Sequence, residues 1–197
     1  MNKVLLVASG KSALEAYDYD YKANGWTVVA VNNGWHAVPD LWDYWVRSPD
    51  FKGKKPTGDE IKEHQTIVKK YGPSLGKYGG QAACGYSITL NAGYWALDVL
   101  KPSVLGFLGA DMNYTPASDG STHFYGVGWD VQNNAGGLPD PDRMVNMYGK
   151  ESKDTYLHDI YMRLDEWAEK QECGVYNLSS VKDTRLPYTK ALPSDFK

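Results

Sequence analysis

Hydrophobic and polar positions divide the chain into short apolar runs that alternate with helical or turn-rich segments. The runs with apolar or aromatic character and flanking turns predict β-strands at residues 4–8, 26–31, 44–47, 104–108 and 174–178. The segments with helical composition or spacing predict helices at residues 12–22, 52–70, 85–100 and 152–170. This alternation favours right-handed βαβ crossovers and a parallel sheet.

The order of elements predicts an α/β fold: a single Rossmann-like domain over residues 1–197, with a mainly parallel sheet flanked by helices. On such a sheet, ligands bind outside the carboxyl ends of the strands, where the strand order reverses. Residues 112–151 contain no periodic pattern and are dense in Gly, Pro, Asn and Asp. A stretch of this length predicts a lid-like loop.

Composition narrows the class of protein. A hydrophobic content of 42% in 197 residues suffices for one core, and a net charge of -3 makes duplex nucleic acid an unexpected partner. The two cysteines form no CxxC pair, so neither a zinc knuckle nor a disulfide framework is expected. The apolar run near the amino terminus is too short for a signal peptide or a membrane span, and we expect a cytoplasmic protein.

The turn after the first predicted strand is a candidate anion site. Ser9, Gly10, Lys11 and Ser12 look like the end of a phosphate-binding P-loop, but Leu5 stands where that motif requires glycine, so the full loop cannot form. What remains is a strand-to-helix turn whose backbone N–H groups and Ser12 hydroxyl favour an anionic group. A helix cap without a ligand is the alternative.

Polar residues also follow two other predicted strands. Asn32 and Asn33 end the second strand, where an amide can bind a base edge or a ribose, although Asn-Asn-Gly is also a turn signal. Asp111 ends the strand at 104–108 and can bind a ribose or an acceptor hydroxyl, or can cap the turn.

The start of the predicted helix at 85–100 is a second candidate anion site. Cys84, Gly85 and Ser87 lie there, and this helix is expected to begin at the same edge of the sheet as the first one. Two helix ends can then share one diphosphate or phosphodiester.

His123 lies in the predicted loop, where an imidazole that titrates near neutral pH can act as a general base. A lone loop histidine without a role is the alternative. Asp140 and Asp142 resemble a metal-binding pair, but the proline between them favours a turn. We therefore expect neither a metal site nor a cofactor.

Several of these segments, taken in order, resemble one superfamily. It contains the compact single-Rossmann bacterial sialyltransferases and the related 6-hydroxymethylpterin pyrophosphokinase-like proteins. The resemblance extends from residue 1 to about residue 180, and its order and spacing make it specific. The motifs that carry it are residues 7–14, 31–32, 84–85, 109–111, 122–123 and 175–179.

The resemblance implies roles for particular residues. A cytidine monophosphate sugar would be held by Gly10, Ser12 and Asn32. His123 corresponds to the general base of those enzymes, and Tyr125 to a tyrosine that supports the leaving phosphate. The small-residue turn near the phosphate corresponds to Cys84, Gly85 and Ser87. The family's first turn reads Asn-Gly-Pro-Ser whereas this chain has Ser-Gly-Lys-Ser, which favours a different nucleotide or a direct lysine contact to phosphate.

Three functions remain open at this point. The first is metal-independent, inverting transfer from a nucleotide sugar to a hydroxyl-bearing acceptor, with a histidine base. The second is Mg-dependent diphosphate transfer from ATP, in which Asp111, Asp140 or Asp142 would help to hold the metal. The third is a module that binds a nucleotide or a protein and performs no chemistry.

Overall fold

A parallel sheet of seven strands organises the chain in a computed structural model that describes residues 1–113, 115–126, 143–145 and 151–197. In chain order the strands are β1 (Lys3–Val7), β2 (Trp26–Val31), β3 (Tyr44–Val46), β4 (Thr66–Ile67), β5 (Val104–Leu108), β6 (Arg143–Val145), β7 (Glu151–Tyr156), β8 (Gly174–Asn177) and β9 (Thr189–Lys190). β6 and β7 form a separate antiparallel pair, and the other strands belong to the large sheet.

The strand order in the large sheet is β4-β3-β2-β1-β5-β8-β9. β1 is central and pairs in parallel with β2 on one side and with β5 on the other. The chain moves outward from β1 to β4 and then continues on the opposite side with β5, so the order reverses between β1 and β5. This is the switch point at which open α/β sheets bind ligands. The predicted α/β Rossmann-like fold is confirmed.

Different helices cover the two faces of the sheet. The α-helices are α1 (Gly72–Lys77), α2 (Gln81–Cys84), α3 (Ile88–Trp95) and α4 (Leu157–Glu169), and a π-helical turn, Ala96–Leu100, continues α3. The 3₁₀ helices are Lys11–Tyr17, Asn32–His36, Gly58–Glu60 and Pro193–Asp195. Val4 and Leu6 of β1 pack on the α-helical side, whereas Leu5 and Val7 pack against the first 3₁₀ helices and a group of tryptophans. Within the described residues, no helix has both the length and the hydropathy to cross a membrane.

Two of the predicted helices differ in type from the observed elements. The segment predicted as a helix at 12–22 is a 3₁₀ helix over Lys11–Tyr17, and its buried Ala13 and Ala16 have the three-residue spacing of that helix. The predicted helix at 52–70 is wrong. That segment contains a single 3₁₀ turn and the edge strand β4, which is anchored by a 2.8 Å hydrogen bond from Thr66 N to Asp43 O.

The two later helices begin further along the chain than their patterns predict. α3 starts at Ile88, because Gly85 adopts the left-handed region with φ of +81° and separates α2 from α3. α4 starts at Leu157, directly after β7. The predicted loop at 112–151 is described only in part, and it includes β6, a strand that the sequence pattern did not indicate.

Candidate functional site

The turns at the carboxyl ends of β1, β2 and β5 pack closely at the switch point. Gly10 N donates a 2.6 Å hydrogen bond to Gly109 O in the turn after β5. A Cβ atom on Gly10 would lie 2.6 Å from Asp111 Oδ2, and one on Gly34 would lie 2.2 Å from the carbonyl oxygen of Val7. Only glycine allows backbones to approach so closely, so these turns form a continuous backbone floor.

A buried Ser12–Asp111 pair joins the turn after β1 to the turn after β5. Ser12 N donates to Asp111 Oδ2 at 3.0 Å, and the Ser12 hydroxyl donates to Oδ1. Gly109 N in turn donates to Ser12 Oγ at 2.7 Å. Ser12 is 1% exposed and Asp111 is 7% exposed. The carboxylate therefore occupies the amino-terminal end of the first 3₁₀ helix, where the sequence predicts an anionic ligand.

The segment that carries His123 contacts the turn after β1. Phe124 N donates a 3.2 Å hydrogen bond to Ser9 O, and the Phe124 ring packs against the core beneath the first 3₁₀ helix. Thr122 Oγ1 lies 3.0 Å from His123 Nδ1. The rings of His123 and Tyr125 stack nearly parallel, with their centroids 5.2 Å apart. The imidazole is thus held, half-buried, beside the switch point.

Lys11 contributes positive charge on the same side of the crevice. It is exposed and follows Gly10 directly. Hydrogen bonds from Ser121 hold the pKa of the Asp119 carboxyl below its ordinary value, and the charge of Lys11 lowers it further. The charge of Lys11 therefore lies within electrostatic range of Asp119.

The two adjacent asparagines after β2 have different environments. Asn32 adopts a left-handed conformation with φ of +46°, and its Oδ1 accepts a 3.0 Å hydrogen bond from Ser48 N. Asn32 O accepts from Trp45 Nε1 at 2.8 Å. Within the described residues Asn32 Oδ1 takes part in a side-chain hydrogen bond and Asn32 Nδ2 does not. Asn33 is 1% exposed, and its Oδ1 lies against Gly53, where a Cβ atom would be 2.5 Å away.

Cys84, Gly85 and Ser87, which were predicted to form one turn before the helix at 85–100, lie in three different environments. Cys84 ends α2, and its Sγ lies 3.7 Å from Leu75 O. Gly85 packs against α4, where a Cβ atom would lie 2.8 Å from Ile160 Cγ2. Ser87 is the N-cap of α3, is half-buried, and makes no capping hydrogen bond through its side chain. Because α3 leads into a parallel strand, its amino terminus lies at the carboxyl edge of the sheet, and Ser87 is the residue of the three that offers a polar group there.

Neither cysteine is suited to nucleophilic chemistry, and we expect both to resist thiol reagents in the folded protein. Burial raises the pKa of Cys84 to about 11 and that of Cys173 to about 12. Ellman's reagent at pH 8 is therefore expected to label neither thiol until urea unfolds the chain. Labelling of either cysteine in the native protein at the rate of a free thiol would contradict this prediction.

The same shifts predict a loss of stability at high pH. The folded state keeps the Cys84 proton up to about pH 11, whereas an unfolded thiol releases it near its ordinary pKa of 9.0. Ionisation therefore favours the unfolded chain between these values, and the free energy of unfolding falls as the pH rises through that window. The Cys84→Ala variant provides the control, since its unfolding should vary less with pH over the same range.

Two arginines near this edge were not among the predicted site residues. Arg47 follows β3 directly and donates a 3.3 Å hydrogen bond to the carbonyl oxygen of Ser48. The backbone N–H of the same serine donates to Asn32 Oδ1. The rule that identifies Asn32, a polar residue at the carboxyl end of a strand, would also have found Arg47. Arg185 donates from Nε to Met112 O at 2.9 Å and lies far from β5 in sequence, so no local pattern indicates it.

The described residues include no group of three or more His, Cys, Asp or Glu side chains that could hold a metal ion. Asp140 and Asp142 lie outside these residues. Both carboxylate oxygens of Asp111 accept hydrogen bonds from Ser12.

Comparisons with known proteins find no matching family model, no matching curated protein and no matching solved structure. The structure places this chain in the class of α/β proteins with a Rossmann-like fold. The evidence for this class is the parallel sheet and the order of its strands. The resemblance to sialyltransferases and pyrophosphokinase-like proteins stays a prediction from the sequence motifs.

Proposed function

We propose that this protein binds a nucleotide-linked sugar at the carboxyl edge of its sheet and transfers the sugar to an acceptor hydroxyl, with His123 as the general base. The observation that carries the proposal is the hydrogen bond from Phe124 N to Ser9 O. It links the only histidine of the 115–126 segment to the turn at the switch point. The order of the motifs that resemble those of sialyltransferases supports the choice of a nucleotide sugar as the donor.

In this proposal, donor groups from three elements at the carboxyl edge of the sheet would bind the nucleotide. Asn32 Nδ2 would bind the base or the ribose, and Lys11 would bind the phosphate. Ser87 Oγ and the first N–H groups of α3 would add hydrogen bonds to the same anion. Ser12 has another role in this proposal, because its hydrogen bonds go to Asp111 and hold the two turns together.

His123 would accept the proton of the acceptor hydroxyl while the acceptor oxygen attacks the anomeric carbon. The bond between that carbon and the phosphate oxygen breaks, and its electron pair leaves with the phosphate. Attack from the opposite side inverts the configuration. For Nε2 to accept this proton, Nδ1 must carry the other ring proton and donate it to Thr122 Oγ1, which lies 3.0 Å away. Tyr125 fixes the plane of the imidazole by stacking, and its hydroxyl is the candidate to support the leaving phosphate.

Calorimetry with nucleoside phosphates and nucleotide sugars tests the proposal, in the presence of EDTA and again with Mg²⁺. We expect saturable binding of one nucleotide class in EDTA. The Asn32→Asp variant should bind that nucleotide at least about tenfold more weakly. Aspartate retains the oxygen that accepts from Ser48 N and tolerates the left-handed conformation, but it lacks the amide donor.

Asn24→Asp is the matched control, because it makes the same change of charge in an exposed turn at the amino end of β2. If both variants bound the nucleotide equally weakly, the loss of affinity would come from the added negative charge and not from the loss of the Asn32 amide donor. Binding that requires Mg²⁺ and ATP would favour diphosphate transfer instead. The absence of binding by every nucleotide in the panel would reject the proposed donor site.

A further inference from the structure

The segment of residues 51–60 packs against the 3₁₀ helix Asn32–His36, which follows β2 at the carboxyl edge of the sheet. Trp35 Nε1 donates a 3.1 Å hydrogen bond to the carbonyl oxygen of Lys54. Phe51, the first residue of the segment, packs against the same group of core residues as Trp35. The segment is therefore held against the helix that begins with the proposed nucleotide contact.

The indole ring of Trp35 contacts both an imidazole and an ammonium group. The His36 ring stacks on it, with the two centroids 3.8 Å apart and 30° between the ring planes. Lys54 Nζ lies 5.7 Å from the centroid of the same indole. An aromatic face attracts a cation, and Lys54 already supplies one here. A second cation at His36 would therefore compete for the same ring.

Glu60 fixes the position of the Lys54 ammonium group. The Glu60 carboxylate accepts a 2.6 Å hydrogen bond from Lys54 Nζ and a 2.9 Å hydrogen bond from Thr57 N. These hydrogen bonds lower the pKa of Glu60 to about 2, so this carboxylate stays charged in mild acid. Among His36, Lys54 and Glu60, the imidazole is then the group that titrates between pH 5 and 8.

We propose that His36 makes the closure of the 51–60 segment sensitive to pH, so that a neutral imidazole keeps the segment on the helix and an imidazolium releases it. The charged groups that act on His36 are Lys54 and Glu60, and both belong to the segment. Burial lowers the pKa of His36 most, the charge of Lys54 lowers it further, and Glu60 raises it by a smaller amount. The closed segment as a whole therefore opposes protonation.

The open state binds a proton at His36 more readily than the closed state does. Without the segment, the pKa of the imidazole lies closer to its ordinary value of 6.5 and above its value in the closed state. The open state therefore gains population as the pH falls below that value. At pH 8 both states hold a neutral imidazole, so closure no longer depends on pH. Opening would loosen the helix that carries Asn32 and weaken donor binding in acid, and this consequence alone rests on the proposed function.

NMR spectroscopy of the full chain, without nucleotide, tests the inference at pH 8 and pH 5. The indole N–H of Trp35 reports on closure because it donates to Lys54 O. Its protection factor, which corrects for the effect of pH on intrinsic exchange, should fall at least about threefold in acid. The ring protons of His36 should titrate with a pKa below the ordinary value of 6.5.

Variants of His36 and Lys54 separate this titration from a general effect of acid. His36→Phe keeps a flat ring against Trp35 but cannot bind a proton, so the protection of its Trp35 N–H should not change with pH. His36→Gln is a second variant without a titrating group, and its side chain is smaller than phenylalanine. Lys54→Met keeps the aliphatic stem but removes the ammonium group, so the pKa of His36 should rise and the response to acid should shrink. His64→Gln, an exposed histidine outside the segment, is the matched control and should respond like the wild type.

Three results would overturn the inference: equal protection of the Trp35 N–H at pH 8 and pH 5, a pKa of His36 at or above 6.5, or a wild-type response to acid in His36→Phe. Calorimetry measures nucleotide affinity separately at the same two pH values. The expected NMR response in a protein that binds no nucleotide would support the pH-sensitive closure and reject the donor site. Nucleotide binding with unchanged protection of the Trp35 N–H would support the donor site and overturn the closure.

Discussion

Replacing Asp111 with alanine is expected to lower the free energy of unfolding by about 3 kcal/mol. The substitution removes the acceptor of two hydrogen bonds from Ser12, one from its backbone N–H and one from its hydroxyl. It also removes the negative charge at the start of the first 3₁₀ helix, and it leaves Ser12 buried beside a cavity. Urea unfolding, followed by circular dichroism, measures the change.

Ser12→Ala should lower the free energy of unfolding by about 2 kcal/mol. The backbone N–H of residue 12 can still donate to Asp111, but Asp111 Oδ1 loses the hydroxyl donor and Gly109 N loses its acceptor. The double variant should then be more stable than the sum of the single effects predicts, since the two side chains contact each other. Asp183→Ala is the control: that carboxylate is exposed and accepts from Asn113, and its loss should change stability by less than about 0.5 kcal/mol. Additive effects at Ser12 and Asp111 would contradict the pairing.

The Ser12–Asp111 pair also changes the interpretation of the first turn. A helix start after a glycine turn favours an anion, and the protein supplies that anion from its own chain. A phosphate placed at Ser12 would meet the negative charge of Asp111. The proposed phosphate contacts are therefore Lys11 and the start of α3, whose N-cap Ser87 makes no capping hydrogen bond.

The centre of the fold was predictable because its signals are local and strong. β1 and β5 are buried on both sides of the sheet, so both strands are continuous apolar runs in the sequence. Their pairing in parallel follows from the alternation of strands and helices. The strand order across β1 then fixes the position of the switch point.

The edge of the sheet was not predictable in the same way. β4 has only two residues, Thr66 is exposed, and the surrounding segment is charged, which favoured a surface helix. Its position depends on a hydrogen bond to Asp43, a contact distant in sequence. No periodicity within residues 52–70 contains that information.

The position of a candidate site residue was predictable where it depends on the end of a strand. The contacts of that residue were not predictable where they depend on packing between distant parts of the chain. Asn32 directly follows β2, as the sequence pattern predicts, and its role in binding stays a prediction. Asn33, one residue later, is buried against Gly53. Ser12 and Asp111 were each singled out separately, but they are 99 residues apart, and no local pattern shows that they bind each other.

His123→Gln is expected to lower kcat for sugar transfer by about 10²–10⁴-fold, the usual contribution of a general base. Glutamine can keep a hydrogen bond to Thr122, and its flat amide can still pack against Tyr125, but it does not accept a proton near neutral pH. The nucleotide sugar selected by calorimetry serves as the donor, and release of the nucleoside phosphate measures the rate. The dissociation constant for the donor should change little, because the proposed role of His123 is toward the acceptor.

His64→Gln, an exposed residue outside the 115–126 segment, is the matched control and should retain full activity. His123→Gly with added imidazole provides a second measurement, because a small base that enters the vacated space should restore part of the rate. A His123→Gln variant that transfers sugar normally would reject the assigned base. Loss of activity together with loss of donor binding would instead assign His123 to holding the nucleotide, and failure of imidazole to restore the rate would support that assignment.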